Sequence, residues 1–181
     1  MNQTTNLNDG ELLRRLAKDR QTSEREKLTI CELLEANKST IDALIPTIEN
    51  EILRLMIEAR KQCDSFWCAN KAARDEKLQW RMGTRVRFYK GSLLLEWYKN
   101  RFVPGEDPSK KEVLSTFIPK GAGNSFNIEG LKKLCLSDWE REVVEETEKE
   151  YATIRARYNH LSKMKRYLMM YKKLTDIELA R

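Results

Sequence analysis

The stretch Arg85-Val-Arg-Phe-Tyr-Lys-Gly-Ser-Leu-Leu-Leu-Glu-Trp-Tyr-Lys-Asn-Arg101 decides how the rest of the chain is read. It alternates at period two, whereas the sequence on either side of it carries helical spacing. Lys90-Gly91 lies between two β-rich runs, and glycine at the second turn position supplies the positive φ that a tight hairpin turn needs. A two-residue turn sets Phe88 opposite Leu93, Val86 opposite Leu95 and Arg87 opposite Leu94. Val86, Phe88, Leu93, Leu95 and Trp97 then share one face. The other face carries Arg85, Arg87, Tyr89, Glu96, Tyr98 and Asn100, with Leu94 as an apolar intruder. Arginine and asparagine on such a ribbon can reach base edges in a major groove, and tyrosine or lysine at its rim can hold phosphates. Arg85, Arg87 and Asn100 are the candidates for base contacts. Tyr89, Lys90, Lys99, Arg101 and Lys120 are the candidates for backbone contacts, with Tyr98 beside them on the ribbon face. Strict alternation puts Lys99 and Arg101 on the Trp97 side, so they serve only at the frayed end of the strand. An ordinary solvated outer face is an equally open reading of the ribbon.

On the N-terminal side, Ser23 and Glu26 have capping-box spacing, which predicts a helix from about residue 24. Leu28, Cys31 and Leu34 give it an apolar stripe, and Asn37-Lys-Ser-Thr40 is expected to interrupt it. From Ile41 the stripe runs Ile41, Ile45, Ile48, Ile52, Leu55, Ala59, Gln62 or Cys63, and Phe66, one seam along a long helix that ends near Trp80 with Gly83 as its stop. Pro46 is expected to bend that helix or to mark its true start. Residues 1–22 are polar, and Glu11–Ala17 allows an amphipathic turn or two.

On the C-terminal side, two prolines and a glycine within Val103–Ser109 make a loop. Lys111–Ile118 reads as a third strand with Val113, Ser115 and Phe117 on one face, completing a meander, since a lone hairpin is marginal. Pro119–Ser125 is rich in glycine but lacks the Gly-Lys-Ser/Thr ending of a phosphate-binding loop. A short helix over Asn127–Leu136 follows, and Ser137-Asp-Trp-Glu140 caps a second long helix. Its seam runs Val144, Thr147, Tyr151, Ile154, Tyr158, Leu161, Met164, Leu168 and Tyr171. The two stripes are expected to bury each other, with Ile48, Ile52 and Leu55 against Tyr151, Ile154, Tyr158 and Leu161.

Composition bounds the partners. In 181 residues the charged fraction is 34% and the net charge +6, with pI about 9.1 and mean hydropathy −0.68, which together describe long water-facing helices and favour a polyanionic partner. Positive charge is local: nine Lys or Arg against three acids from Lys71 to Phe102, and seven with no acid from Arg155 to Lys173. Between them, Asp138–Glu150 holds seven acids against two bases, read as a solvated helix face that could equally contact a basic partner. Acids early in this helix and bases late also suit its dipole. Cys31, Cys63, Cys68 and Cys135 form no CxxC pair, so neither a metal site nor a disulfide is expected, and Cys31 and Cys63 fall at positions that suit buried thiols. No cofactor is implied. His160 is the single histidine, no nucleophile elbow or zinc-protease motif is present, and the chain is not expected to be an enzyme. Nor does it carry an apolar run long enough for a membrane span or a secretion signal, which points to the cytoplasm.

Leu95-Glu-Trp-Tyr-Lys-Asn-Arg-Phe102, a strand ending Ile118-Pro-Lys-Gly-Ala-Gly123, then Trp139 and Thr147-Glu-x-x-Tyr-Ala-x-Ile-Arg155 ahead of a basic helix resemble conjugative transfer proteins of the MobI type. The resemblance covers about residues 84–173. It implies a bacterial mobile-element protein that acts with the machinery nicking the origin of transfer, and it carries no catalytic residues with it.

The expected fold class is α+β and mostly helical. A long antiparallel helical hairpin, coiled-coil-like, holds a small three-stranded antiparallel sheet inserted between its arms. Its segments are a flexible stretch over 1–22, helices over 23–82, a meander and glycine-rich loop over 83–126, and a short and a long helix over 127–181, with 23 to about 175 as one unit. The expected function is auxiliary DNA binding in conjugative transfer, with double-stranded DNA as partner and relaxase or other transfer proteins alongside. A dimerising adaptor that never touches DNA is the alternative, and a homodimer is compatible with either.

Overall fold

Lys90 and Gly91 both have positive φ, 48° and 75°, the pair of values that lets a two-residue turn follow the twist of its strands. In a computed structural model, which describes residues 10–18, 28–75, 80–104 and 111–181, this turn joins β1 (Met82–Tyr89) to β2 (Ser92–Pro104), and β3 (Lys111–Phe117) completes an antiparallel sheet of order β1-β2-β3. The register is the one the turn dictates: Phe88 faces Leu93, Arg87 faces Leu94 and Val86 faces Leu95. On the other side of β2, Phe117 pairs with Tyr98, Ser115 with Asn100 and Val113 with Phe102. The helices are α1 (Gly10–Lys18), α2 (Ile30–Asp75), the short α3 (Ile128–Lys132) and α4 (Asp138–Leu179), so the protein is mostly helical α+β. No helix among the described residues is long and apolar enough to cross a membrane.

The chain divides into two compact units, Ile52–Leu161 in one and Met1–Glu51 with Ser162–Arg181 in the other, so each long helix contributes to both. In the first unit a single core joins Leu55, Ala59 and Phe66 of α2 to Leu93, Leu95 and Trp97 of β2 and to Val144, Tyr151, Ile154 and Tyr158 of α4, with Ile52 and Leu161 packed against it. The expected seam is therefore present within this unit, apart from Ile48, which belongs to the other unit. Glu58 pairs with Arg157 at 2.9 Å while Phe66 shares a groove with Thr147, so the two helical segments run antiparallel. In the second unit Ile41 and Ile48 are buried, and ion pairs Glu49–Lys165 (2.7 Å), Asp42–Lys172 and Lys38–Asp176 (2.8 Å) step along α2 and α4 in opposite directions.

Several expectations are corrected. Asn37–Thr40 does not interrupt α2, because Lys38 lies on the seam where Asp176 takes its charge. The helix also runs through Pro46. The box that caps α2 is Thr29 with Glu32, the Thr29 amide donating to Glu32 Oε2 at 2.8 Å and the Glu32 amide to Thr29 Oγ1 at 3.1 Å; the Ser23–Glu26 pair lies outside the described residues. Cys31 is exposed and Cys63 half-buried. Gly83 stops no helix. It sits in β1 with the Tyr98 ring so close that a Cβ there would stand 2.3 Å from Cε2. On α4, Met164 and Tyr171 are exposed, because the seam continues through Lys165 and Lys172, each turned toward an acid of α2. The helix also extends past its basic stretch to Leu179 with no base in its last turn. The dipole argument therefore holds only at its start.

Candidate nucleic-acid interface

The sheet is held from beneath by two buried carboxylates of α4. Glu148 accepts from Trp97 Nε1 at 2.7 Å, the Phe126 amide at 2.8 Å and Ser125 Oγ at 3.3 Å, and pairs with Arg155 Nη1 at 2.8 Å. Arg155 reaches on to the Leu95 carbonyl (3.0 Å) and the Asn124 carbonyl (2.9 Å), with the Phe126 ring 4.9 Å from its Cζ. Glu140 takes the amides of Arg81 and Met82, each at 2.6 Å, on one oxygen and that of Leu136 at 2.7 Å on the other. Burying a charge is tolerable only with such partners. The acidic run of Asp138–Glu150 is thus not uniformly a solvated face: Glu140 and Glu148 are buried, while Glu142, Glu146 and Glu150 are exposed. Residue counting missed this, although positions 140, 144, 148, 151 and 155 lie on the face that carries Val144 and Tyr151.

With its inner side committed to that core, the sheet turns its other side to solvent. Arg85 Nε and Arg87 Nη2 both contact Glu96, at 2.7 and 3.0 Å, and all three side chains stay partly exposed. Burial pushes the Glu96 carboxyl up, but the two guanidiniums outweigh it and hold the group below its ordinary value. Arg85 Cζ also lies 4.2 Å from the centroid of Phe117, and Arg87 and Lys90 lie 5.5 and 5.3 Å from that of Tyr89. Tyr98 meets Phe117 edge-on at 6.0 Å. Tyr89, Phe102, Val113 and Phe117 are exposed. The result is an open sheet face of rings with arginine laid among them.

Arg85, Arg87, Tyr89 and Tyr98 are brought together on this face, as the register requires, and Lys90 of the turn meets them over the Tyr89 ring. Asn100 is buried on the ribbon side, and its Oδ1 accepts from Ser115 Oγ at 2.7 Å, which joins β2 to β3. Lys99 and Arg101 lie away from the ribbon face at the end of β2, lining a cavity with Trp80, Arg81 and Phe102. Lys120 curls back onto its own loop, donating to the carbonyls of Gly121 (3.2 Å) and Gly123. The rings Phe102 and Phe117 join the surface without having been singled out by the sequence for it. Period-two alternation places Phe102 and Phe117 there once the register is known.

The sequence model of the MobI protein family matches residues 55–169. No curated protein and no solved structure matches the chain. The family match spans more than half of the sequence, and the chain belongs to the MobI family, which gives it a role in mobilization by conjugative transfer.

Proposed function

We propose that this MobI-family protein is an auxiliary DNA-binding factor that engages duplex DNA at or near the origin of transfer, beside the relaxase machinery in the cytoplasm, without catalysing a reaction. The supporting observation is the solvent-facing side of the sheet, where Arg85, Arg87, Tyr89 and Lys90 form one cationic and aromatic surface. Arginine and lysine set into such a surface neutralise phosphates and release counterions, so binding weakens steeply with salt. A mobility-shift titration with origin-of-transfer duplex tests it. Arg85→Ala with Arg87→Ala is expected to weaken binding at least tenfold and to flatten the salt slope by about one unit per lost phosphate contact. Unchanged affinity and slope would remove the ribbon from the interface.

A second reading, an adaptor that binds transfer proteins and no DNA, draws on the exposed acids Glu142, Glu146 and Glu150. A pull-down of relaxase by nucleic-acid-free protein, lost on reversing these three charges, supports the adaptor. Duplex binding without any such capture refutes it.

A further inference from the structure

β2 outruns β1. Met82, the first residue of β1, pairs with Lys99, and beyond it β2 continues to Pro104. The Asn100 amide still reaches the Arg81 carbonyl at 2.8 Å, and past that point Trp80 and Leu136 border the end of β2. The space they leave is a cavity of about 270 Å³. Its chemistry has two parts. Trp80 and Phe102 meet edge-to-face at 5.6 Å, and Arg74 lies 5.3 Å over the Trp80 ring. Arg81, Lys99 and Arg101 line the same space, and none of their side chains has an ion-pair partner among the described residues. Of the carboxylates nearby, Glu140 is buried and occupied by three backbone amides, and Glu112, diagonal to Arg101 across β3, makes no ion pair with it. Arg85 and Arg87 differ in kind, since Glu96 already neutralises them in part.

We propose that this cavity holds one unstacked nucleotide of a single DNA strand, its base against Trp80 and Phe102 and its flanking phosphates on Arg81, Lys99 and Arg101. Cations with no ion-pair partner among the described residues, beside the half-buried Trp80 and the exposed Phe102, offer charge and stacking to a strand with splayed bases; a paired duplex cannot present a base to so small a space. The inference rests on the DNA-binding reading for the identity of the polymer, but it uses a different part of the sheet.

The test is fluorescence anisotropy of a labelled oligo-dT single strand and of a labelled origin duplex, each titrated with the full chain over a salt series. Lys99→Gln with Arg101→Gln, which keeps side-chain bulk, is expected to weaken single-strand binding at least tenfold and to lower its salt slope by about 1.4, since each phosphate contact on a single strand contributes about 0.7. Duplex binding should change less than twofold. Phe102→Leu is expected to weaken single-strand binding several-fold with the salt slope unchanged, because it removes stacking and no charge. Wild-type protein that binds duplex but no single strand, or a Gln pair with unaltered single-strand affinity, overturns the cavity assignment and leaves the duplex reading standing. Protein that binds neither polymer overturns both. Circular dichroism melting of each variant confirms that it is folded.

Discussion

The two long helices meet in both compact units, yet the chemistry of the meeting differs. Within Ile52–Leu161 the seam is apolar and aromatic: Leu55, Ala59, Tyr151 and Ile154 are fully buried. Within the unit that holds the remainder, Ile41 and Ile48 are buried, but Lys165 and Lys172 occupy seam positions of α4 and face Glu49 and Asp42. Burial of a large apolar side chain stabilises by about 1.5–3 kcal/mol, whereas an exposed ion pair contributes about 0–1 kcal/mol and fades with salt. The same geometric repeat thus builds a firm support under the sheet and a weaker, salt-sensitive association elsewhere. The family match over residues 55–169 covers most of the firmer unit.

The largest expected effect is at the buried pair. Removing one partner by Glu148→Gln or Arg155→Met strands the other in the core and should cost about 3–5 kcal/mol, with the double variant less than additive, as chemical denaturation of the set will show. Next is Leu55→Ala, at about 2–5 kcal/mol from lost burial and the cavity left behind. Gly83→Ala forces the Tyr98 ring off the β1 backbone and should cost about 1–3 kcal/mol, most of it recovered when Tyr98 is also replaced by Ala. Lys165→Ala and Lys172→Ala come last, at about 0–1 kcal/mol each, shrinking further in 0.5 M salt of the order used to screen surface charge. A large loss at either lysine would erase the contrast between the units.

Acid sharpens the comparison on the sheet. The Glu96 carboxyl is held below its ordinary value of 4.5. A depressed carboxylate contributes stability above its unfolded value, and that contribution fades as pH falls through the lower folded value. Glu96→Gln should therefore weaken the protein at pH 7 and narrow its difference from wild type below about pH 4, in thermal melts across that range.

Much of this was legible because local rules and tertiary context agreed. Lys90-Gly91 fixed the turn, the turn fixed the register, and period two then assigned both faces of β2. The apolar stripe from Ile41 to Phe66 survived for the same reason. Where the reading failed, a residue type was allowed to outrank a position. Met164 and Tyr171 are apolar and suggest the seam by residue type, whereas the repeat through Leu161 and Leu168 leads to Lys165 and Lys172. Glu140 and Glu148 were averaged into an acidic run, although both share a face with Val144 and Tyr151. The amide of Asn100 suits a base edge, but only the Ser115 pairing of β3 shows that its oxygen already has a partner. Trp97, Glu148 and Arg155, which are among the residues that carry the family resemblance, share one buried network.

Hydrogen exchange of the full chain, read peptide by peptide by mass spectrometry, tests the contrast between the two units most directly. Amides of residues 52–75 and 138–161 should open only with an energy close to that of global unfolding, while those of 30–51 and 162–179 should open at lower energy and lose further protection when salt is raised. Equal protection along the whole of both helices, indifferent to salt, would contradict it.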